Sequence, residues 1–281
     1  MLLRYPVVAG HFYEGTSEGL RKQVEECFLH RLGPGKIPTV NRGGKREIVA
    51  LVCPHAGYMY SGPTASHSYY ELALDGAPDL FVIIGPNHTG LGSGVSAMVK
   101  GVWRTPLGDV KVDEETARRI CELCEVADID DVAHRMEHSI EVQLPFLQYL
   151  YGKFKFVPIC MLMQDLKTGR ELGEAIAEAL KGKNAVVIAS SDFSHYVPDE
   201  TARKLDLKAI DAILKMDEEE FQKLVHEHDI SICGYGPITA TIVAAKKLGA
   251  KNAKLLSYTT SGDITGDRHA VVGYASIKFT Y

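Results

Sequence analysis

Six short runs of apolar, mostly β-branched residues punctuate the chain: EIVALVC (47–53), DLFVIIG (79–85), FKFVPIC (154–160), AVVIASS (185–191), AKLLSYT (253–259) and AVVGYASIKF (270–279). A strand with one wet face alternates polar and apolar residues, whereas runs that are apolar throughout predict strands covered on both faces. Between them apolar positions recur at helical spacing, in SEGLRKQVEECFLHRL (17–32), GPTASHSYYELAL (62–74), DEETARRICELCEV (113–126), SIEVQLPFLQYLY (139–151), LKTGRELGEAIAEALK (166–181), ETARKLDLKAIDAILK (200–215), DEEEFQKLVHEH (217–228) and GPITATIVAAKKLG (236–249). This alternation predicts an α/β fold, a three-layer α/β/α sandwich around a mostly parallel sheet. VSAMVK (95–100) and GDVKVD (108–113), joined by GVWRTPL, read as a hairpin, so the sheet is expected to be mixed. The Gly-, Pro- and base-rich stretch 31–47 reads as a surface connection and not as a boundary, and residues 1–281 are taken as a single domain.

Four of the predicted strands run directly into polar groups: PHAGYMYSG (54–62), GPNHTG (85–90), SSDFSHY (190–196) and YTTSGDITGD (258–267). In open α/β sheets ligands bind in the crevice beyond the strand carboxyl ends, so these four segments are expected to converge. His55 and His88 each follow an apolar run, which puts two imidazoles on rigid supports at the ends of what read as neighbouring strands. Either alone would be a hydrogen-bonding cap; the pair points to metal ligation. Asp192 and His195 are three residues apart and would share one face of a turn or of a first helical turn. One can ligate or orient while His195 moves protons, the alternative being a helix start capped by Ser191 or Asp192.

Cys233, in DISICGYGP, precedes a helix expected to begin near Pro237, whose dipole would favour a thiolate; a lone cysteine is otherwise a small buried hydrophobe. EHSIEVQLPF (137–146) reads as a helix start with Glu137, His138 and Glu141 on its first turns, His138 being a candidate substrate or ligand-orienting group. His226 and His228, two apart on a charged helix, read as exposed, and CELC (121–124) as helix packing.

Composition narrows the partners. With 46% apolar and 24% charged residues and a net charge of -5, the chain has no broad basic surface of the kind nucleic acid requires. No run of about 18 apolar residues and no signal-peptide pattern is present, which predicts a cytoplasmic protein with no membrane association. Six scattered cysteines read as reduced thiols. The nine Asn and Gln beside abundant Lys and Glu are a bias of hyperthermophile proteins. GxGxxG, GxxxxGK and GxSxG are absent, so no dinucleotide, nucleotide or serine-nucleophile site is expected.

Taken in order, PHAGYMYSG, GPNHTG, EHSIEVQLPF, SSDFSH and CGYGP resemble the Memo family over essentially the whole chain. The resemblance implies a fold similar to the class III extradiol ring-cleavage dioxygenases, which hold a non-haem iron by two histidines and a carboxylate. It implies metal ligands at His55, His88 and Cys233, with Asp192 and His195 completing the pocket as its catalytic groups. His138, Glu141, Tyr58 and Phe12 would stand beside the substrate, Phe12 where a pocket tryptophan is expected. A thiolate in place of a carboxylate moves the preference toward softer metals and away from ring cleavage, giving Fe(II) or Cu as the expected cofactor and Zn as a third choice. The implied partners are a small molecule or peptide in the crevice and, through similarity to the B component of the AmmeMemoRadiSam grouping, radical-SAM and AMMECR-like proteins. Three functions follow: a metal-dependent redox enzyme, a Zn-dependent hydrolase, or a non-catalytic protein that binds a peptide, a metal ion or a partner.

Overall fold

The computed structural model describes residues 2–281. In chain order its elements are β1 (Leu3–Arg4), α1 (Ser17–Leu29), β2 (Ile48–Cys53), α2 (Tyr58–Asp75), β3 (Leu80–Pro86), β4 (Val95–Ala97), β5 (Val102–Thr105), β6 (Gly108–Val112), α3 (Glu114–Leu123), β7 (Ala127–Ile129), α4 (Leu144–Tyr151), β8 (Lys155–Met161), α5 (Leu166–Ala179), β9 (Ala185–Ser190), β10 (His195–Val197), α6 (Asp199–Leu214), α7 (Glu218–Glu227), α8 (Tyr235–Lys247), β11 (Asn252–Thr260), α9 (Gly262–Thr265) and β12 (Val271–Thr280). One mixed sheet runs β1-β5-β6-β8-β3-β9-β2-β12-β10, with β11 on β12, and with β4 on β8 and β7 on β4. Its centre, β8-β3-β9-β2, is parallel throughout.

Every residue of β2 and of β3 is buried, as their unbroken apolar runs require. Helices α1, α2 and α4 pack together on one face and α3, α5, α6, α7 and α8 on the other, with α8 lying under β2, β3 and β9. The expected three-layer α/β/α architecture is therefore present. Burial of a Val, Leu or Ile side chain contributes about 1.5–3 kcal/mol, so the central strands form the firmest part of the scaffold. All six cysteines are unpaired. Among the described residues no helix is long and apolar enough to cross a membrane.

The structure corrects several local expectations. The hairpin partner of β6 is β5, not the 95–100 run; β4 instead pairs antiparallel with β8, where its three residues are wholly buried. Helix α2 starts at Tyr58, ahead of Pro63, its first turn held by the Ser61 hydroxyl donating to the carbonyl of Ala56 at 2.8 Å. The segment from Glu137 to Ile140 is not helical: a short 3-10 turn at Glu141–Gln143 leads into α4, whose second residue is Pro145. Finally, β2 and β3 are not neighbours, because β9 lies between them.

Candidate metal centre

The ends of β2, β9 and β3 lie side by side and point the same way. Strands stand about 4.8 Å apart, so β2 and β3 are separated by nearly 10 Å. His55 and His88 close that gap by leaning over the end of β9, which brings their ring centroids to 5.3 Å. The third donor comes from the far face: Cys233 sits in the loop before α8, its sulfur 3.3 Å from His55 Nε2. A Cβ on Gly234 would stand 2.7 Å from the Ser190 carbonyl oxygen, so only glycine lets this loop come so close to β9. The ligand atoms of His55, His88 and Cys233 all lie within 4.8 Å of one another.

Each imidazole uses its other nitrogen elsewhere. His55 is buried, with Nδ1 2.9 Å from the Ser190 hydroxyl. His88 is about one-third exposed, and its Nδ1 and backbone N–H lie 2.9 and 2.6 Å from the two oxygens of Glu137. The Glu137 carboxylate is fully buried and also accepts from the amides of His138 and Ser139, at 2.9 and 2.8 Å. Burial works to raise its pKa, but the His88 hydrogen bond and charge and the Ser139 amide outweigh that and hold it well below the usual carboxylate range. For His88 the balance runs the other way: burial opposes the charged form, yet the Glu137 carboxylate raises its pKa. Burial, helped by the neighbouring His138 and His88, drives the pKa of His55 well down.

Asp192 lines the same crevice. One carboxylate oxygen accepts from the backbone N–H of His55 at 2.8 Å and the other lies 3.9 Å from His55 Nε2. Burial pushes its carboxyl up to about 6. The expected helical turn joining Asp192 to His195 is absent: residues 191–194 form no regular structure and lead into β10, which pairs with β12. His195 sits at the half-exposed rim, with Nδ1 2.7 Å from the Ser231 carbonyl, leaving Nε2 free. Nor is Cys233 poised as a thiolate. Burial and the adjacent Asp192 raise its pKa, so the metal-free site holds a thiol.

The remaining candidates divide. His138 belongs to the cluster, stacked on His88 at 4.9 Å and edge-on to His55 at 5.6 Å, and Phe12 covers its outer side at 4.9 Å. Glu141 and Tyr58 face elsewhere. The Glu141 carboxylate is buried against Arg4, the Tyr13 hydroxyl and the backbone N–H groups of Val7 and Val8, so it fastens the N-terminal segment. The Tyr58 hydroxyl donates to the Val142 carbonyl at 2.6 Å. The 258–267 strand end supplies no donor to the cluster; its Asp263 pairs with Arg203 and Arg268. His226 and His228 are exposed, as expected, and Cys121 and Cys124 lie at the end of α3. Sequence reasoning did not single out Ser190 or Gln143, and read Glu137 as a dipole effect. Nothing local in the sequence marks Ser190 or Gln143, and Glu137 sits in the mostly polar stretch HRMEHS (134–139).

The family model described as Memo-like protein matches residues 4–278. A MEMO1 family protein of Methanopyrus kandleri is 53% identical over 279 residues, covering 98% of each chain. Another from Methanocaldococcus jannaschii is 54% identical, again over 98% of each, and one from Sulfolobus acidocaldarius 50% identical over 99% of each. Among solved structures, an uncharacterized protein of Escherichia coli K12 superposes with a TM-score of 0.58 at 15% identity, over 82% of this chain and 99% of that one, a likeness of fold alone. With the family model matched from residue 4 to residue 278 and relatives about half identical along their whole length, this chain belongs to the Memo-like protein family.

Proposed function

We propose that the protein holds one redox-active transition metal, Fe(II) or copper, on His55, His88 and Cys233, and acts as a metal-dependent oxidoreductase on a small molecule admitted to the crevice. One observation carries this reading: three donors from three separate supports lie within 4.8 Å of one another, while the second nitrogen of each imidazole is engaged elsewhere. Imidazole and thiolate suit Fe, Cu or Zn and disfavour Mg or Ca, so the donor set fits the proposed ions. When bound, the metal supplies Lewis acidity and a one-electron couple.

The chain's own groups do the remaining work. Ser190 and Glu137 keep the two rings turned toward the common point. Asp192, with a carboxyl pushed up to about 6 by burial, takes or gives a proton at Oδ2, the oxygen that lies 3.9 Å from His55 Nε2. The free Nε2 of His195 passes protons between the crevice and solvent. Phe12 and His138 exclude water from one side.

The test is anaerobic purification followed by elemental analysis and X-ray absorption. One iron or copper per chain with nitrogen and sulfur neighbours is expected, and His55→Ala and Cys233→Ala should lose it. Metal content unchanged in His55→Ala would refute the reading. Zinc with oxygen-independent turnover would replace it by hydrolysis.

A further inference from the structure

We infer that the segment Glu137–Gln143, none of whose residues is a proposed ligand, is a clamp that sets both imidazoles in the same tautomer, hydrogen on Nδ1 and lone pair on Nε2. The inference rests on the metal reading for its purpose but not for its evidence, which lies in the direction of each hydrogen bond.

Consider Ser190. Its hydroxyl lies 2.6 Å from the Ser139 carbonyl oxygen, which can only accept, so the single hydroxyl hydrogen points there. Gln143 Nε2 lies 2.8 Å from the same hydroxyl oxygen and 3.0 Å from the Pro54 carbonyl oxygen. Because Pro54 can only accept, this side of the Gln143 amide is the NH2 group, and it donates to Ser190 as well. The Tyr69 hydroxyl donates to the opposite side, Oε1, which fits the same orientation. Ser190 therefore has no hydrogen left for His55 and one lone pair to offer it, and His55 Nδ1, 2.9 Å away, must be the donor. His55 Nε2 is left bare toward Cys233.

The same segment decides His88 by a shorter route. Glu137 receives four N–H groups on its two oxygens, from the backbone of His88, His138 and Ser139 and from His88 Nδ1. A carboxylate in that position has nothing to donate, so His88 Nδ1 carries the hydrogen and Nε2 faces inward. The clamp is itself held at both ends. Glu141 ties it to Arg4 and Tyr13, and at the other side Gly85 lacks the side chain that would collide with Ser139. A loop that bears no proposed ligand thus dictates which nitrogen each ligand presents, and Glu137 and Ser190 act as positioning residues.

Nitrogen-15 spectra of the metal-free protein, with histidine labelled and in mildly alkaline solution, read the tautomers directly. Both His55 and His88 should show a protonated Nδ1 and a bare Nε2. Ser190→Ala should abolish the single-tautomer pattern of His55 and leave that of His88, Glu137→Ala, which removes the acceptor, should do the reverse, and Ser190→Thr, which keeps the hydroxyl, should restore His55. Affinity for Fe(II) or Cu(I) should fall about 10–100-fold in the first two variants. General loosening of the fold would disturb both rings together. Finding the His55 hydrogen on Nε2 in the wild type, or no change in Ser190→Ala, overturns the inference. Tautomers that behave as stated in a wild type that binds no metal would overturn only the metal reading.

Discussion

The sulfur of Cys233 lies 3.3 Å from Nε2 of His55, although 178 residues separate them along the chain. Since burial and Asp192 keep this sulfur protonated in the metal-free protein, an incoming soft metal has to displace a proton. Cys233→Ser is expected to weaken Cu(I) binding by more than the 10–100-fold typical of losing an outer partner, with a smaller effect on Zn. Competition titration against a chelator measures both. The wild type at a free metal concentration of about 100 times the dissociation constant should gain roughly 2.7 kcal/mol of stability, reversed by the chelator.

Arg4 and Glu141 form a buried ion pair with side chains about 5% and 0% exposed. Breaking such a pair by removing one partner leaves an uncompensated charge and costs about 3–5 kcal/mol. Arg4→Ala should therefore lower the urea midpoint markedly, and Glu141→Gln likewise, since it leaves the buried Arg4 guanidinium without a counter-charge. If Glu141 instead contacts substrate, Glu141→Gln will alter turnover with stability intact.

His134 is fully buried, with Nε2 3.1 Å from the Ser96 carbonyl and Nδ1 without a partner. Burial, assisted by Arg4, lowers its pKa from 6.5 to about 4. Between these values the unfolded chain binds the proton and the folded one does not, so stability rises with pH across the window and is lost as pH falls from about 6.5 to 4. The difference amounts to roughly 3 kcal/mol. His134→Gln, which can keep the bond to Ser96, should flatten this part of the curve in chemical denaturation series.

A second pH window lies lower. Asp199 accepts from Arg203 at 2.9 Å and pairs also with Arg268 and the Thr260 hydroxyl. Burial opposes its ionisation, but these partners prevail and hold its carboxyl down at about 2. Its folded pKa lies below the unfolded value of 3.8, so the stabilisation is complete above about pH 4 and disappears as pH falls toward 2. Asp199→Asn should remove it, shifting acid unfolding to a less steep transition; an unchanged profile would contradict the assignment.

How much of this was legible in the chain depends on the range of the interaction. Strands such as β2 and β3 announced themselves because burial on both faces demands apolar residues at every position. His55 and His88 were legible for the same reason, each being a polar residue where such a run stops. The order of the strands was not, since β9 enters between β2 and β3 from more than a hundred residues away. The loop at Glu137 misled for a physical reason: acidic residues ahead of an apolar period mark a helix start, but here the Glu137 carboxylate takes two amides of its own backbone, which leaves no regular turn. Glu141 was misread likewise, because nothing local in EHSIEVQLPF shows that Arg4 lies against it. Ser190 and Gln143 carry no local signature, since their significance is the direction of a hydrogen bond.

The insertion of β9 between the two histidine-bearing strands also fixes how late the site can be assembled. His55 and His88 meet only above the end of a strand synthesised long after both, and Cys233 arrives later still. Nascent chain cannot gather these donors locally, so an ion has no early nucleus to bind and cannot template the fold. On the proposed metal reading, loading would then be a finishing step on a completed scaffold, and protein made without the metal would fold empty, ready to be filled.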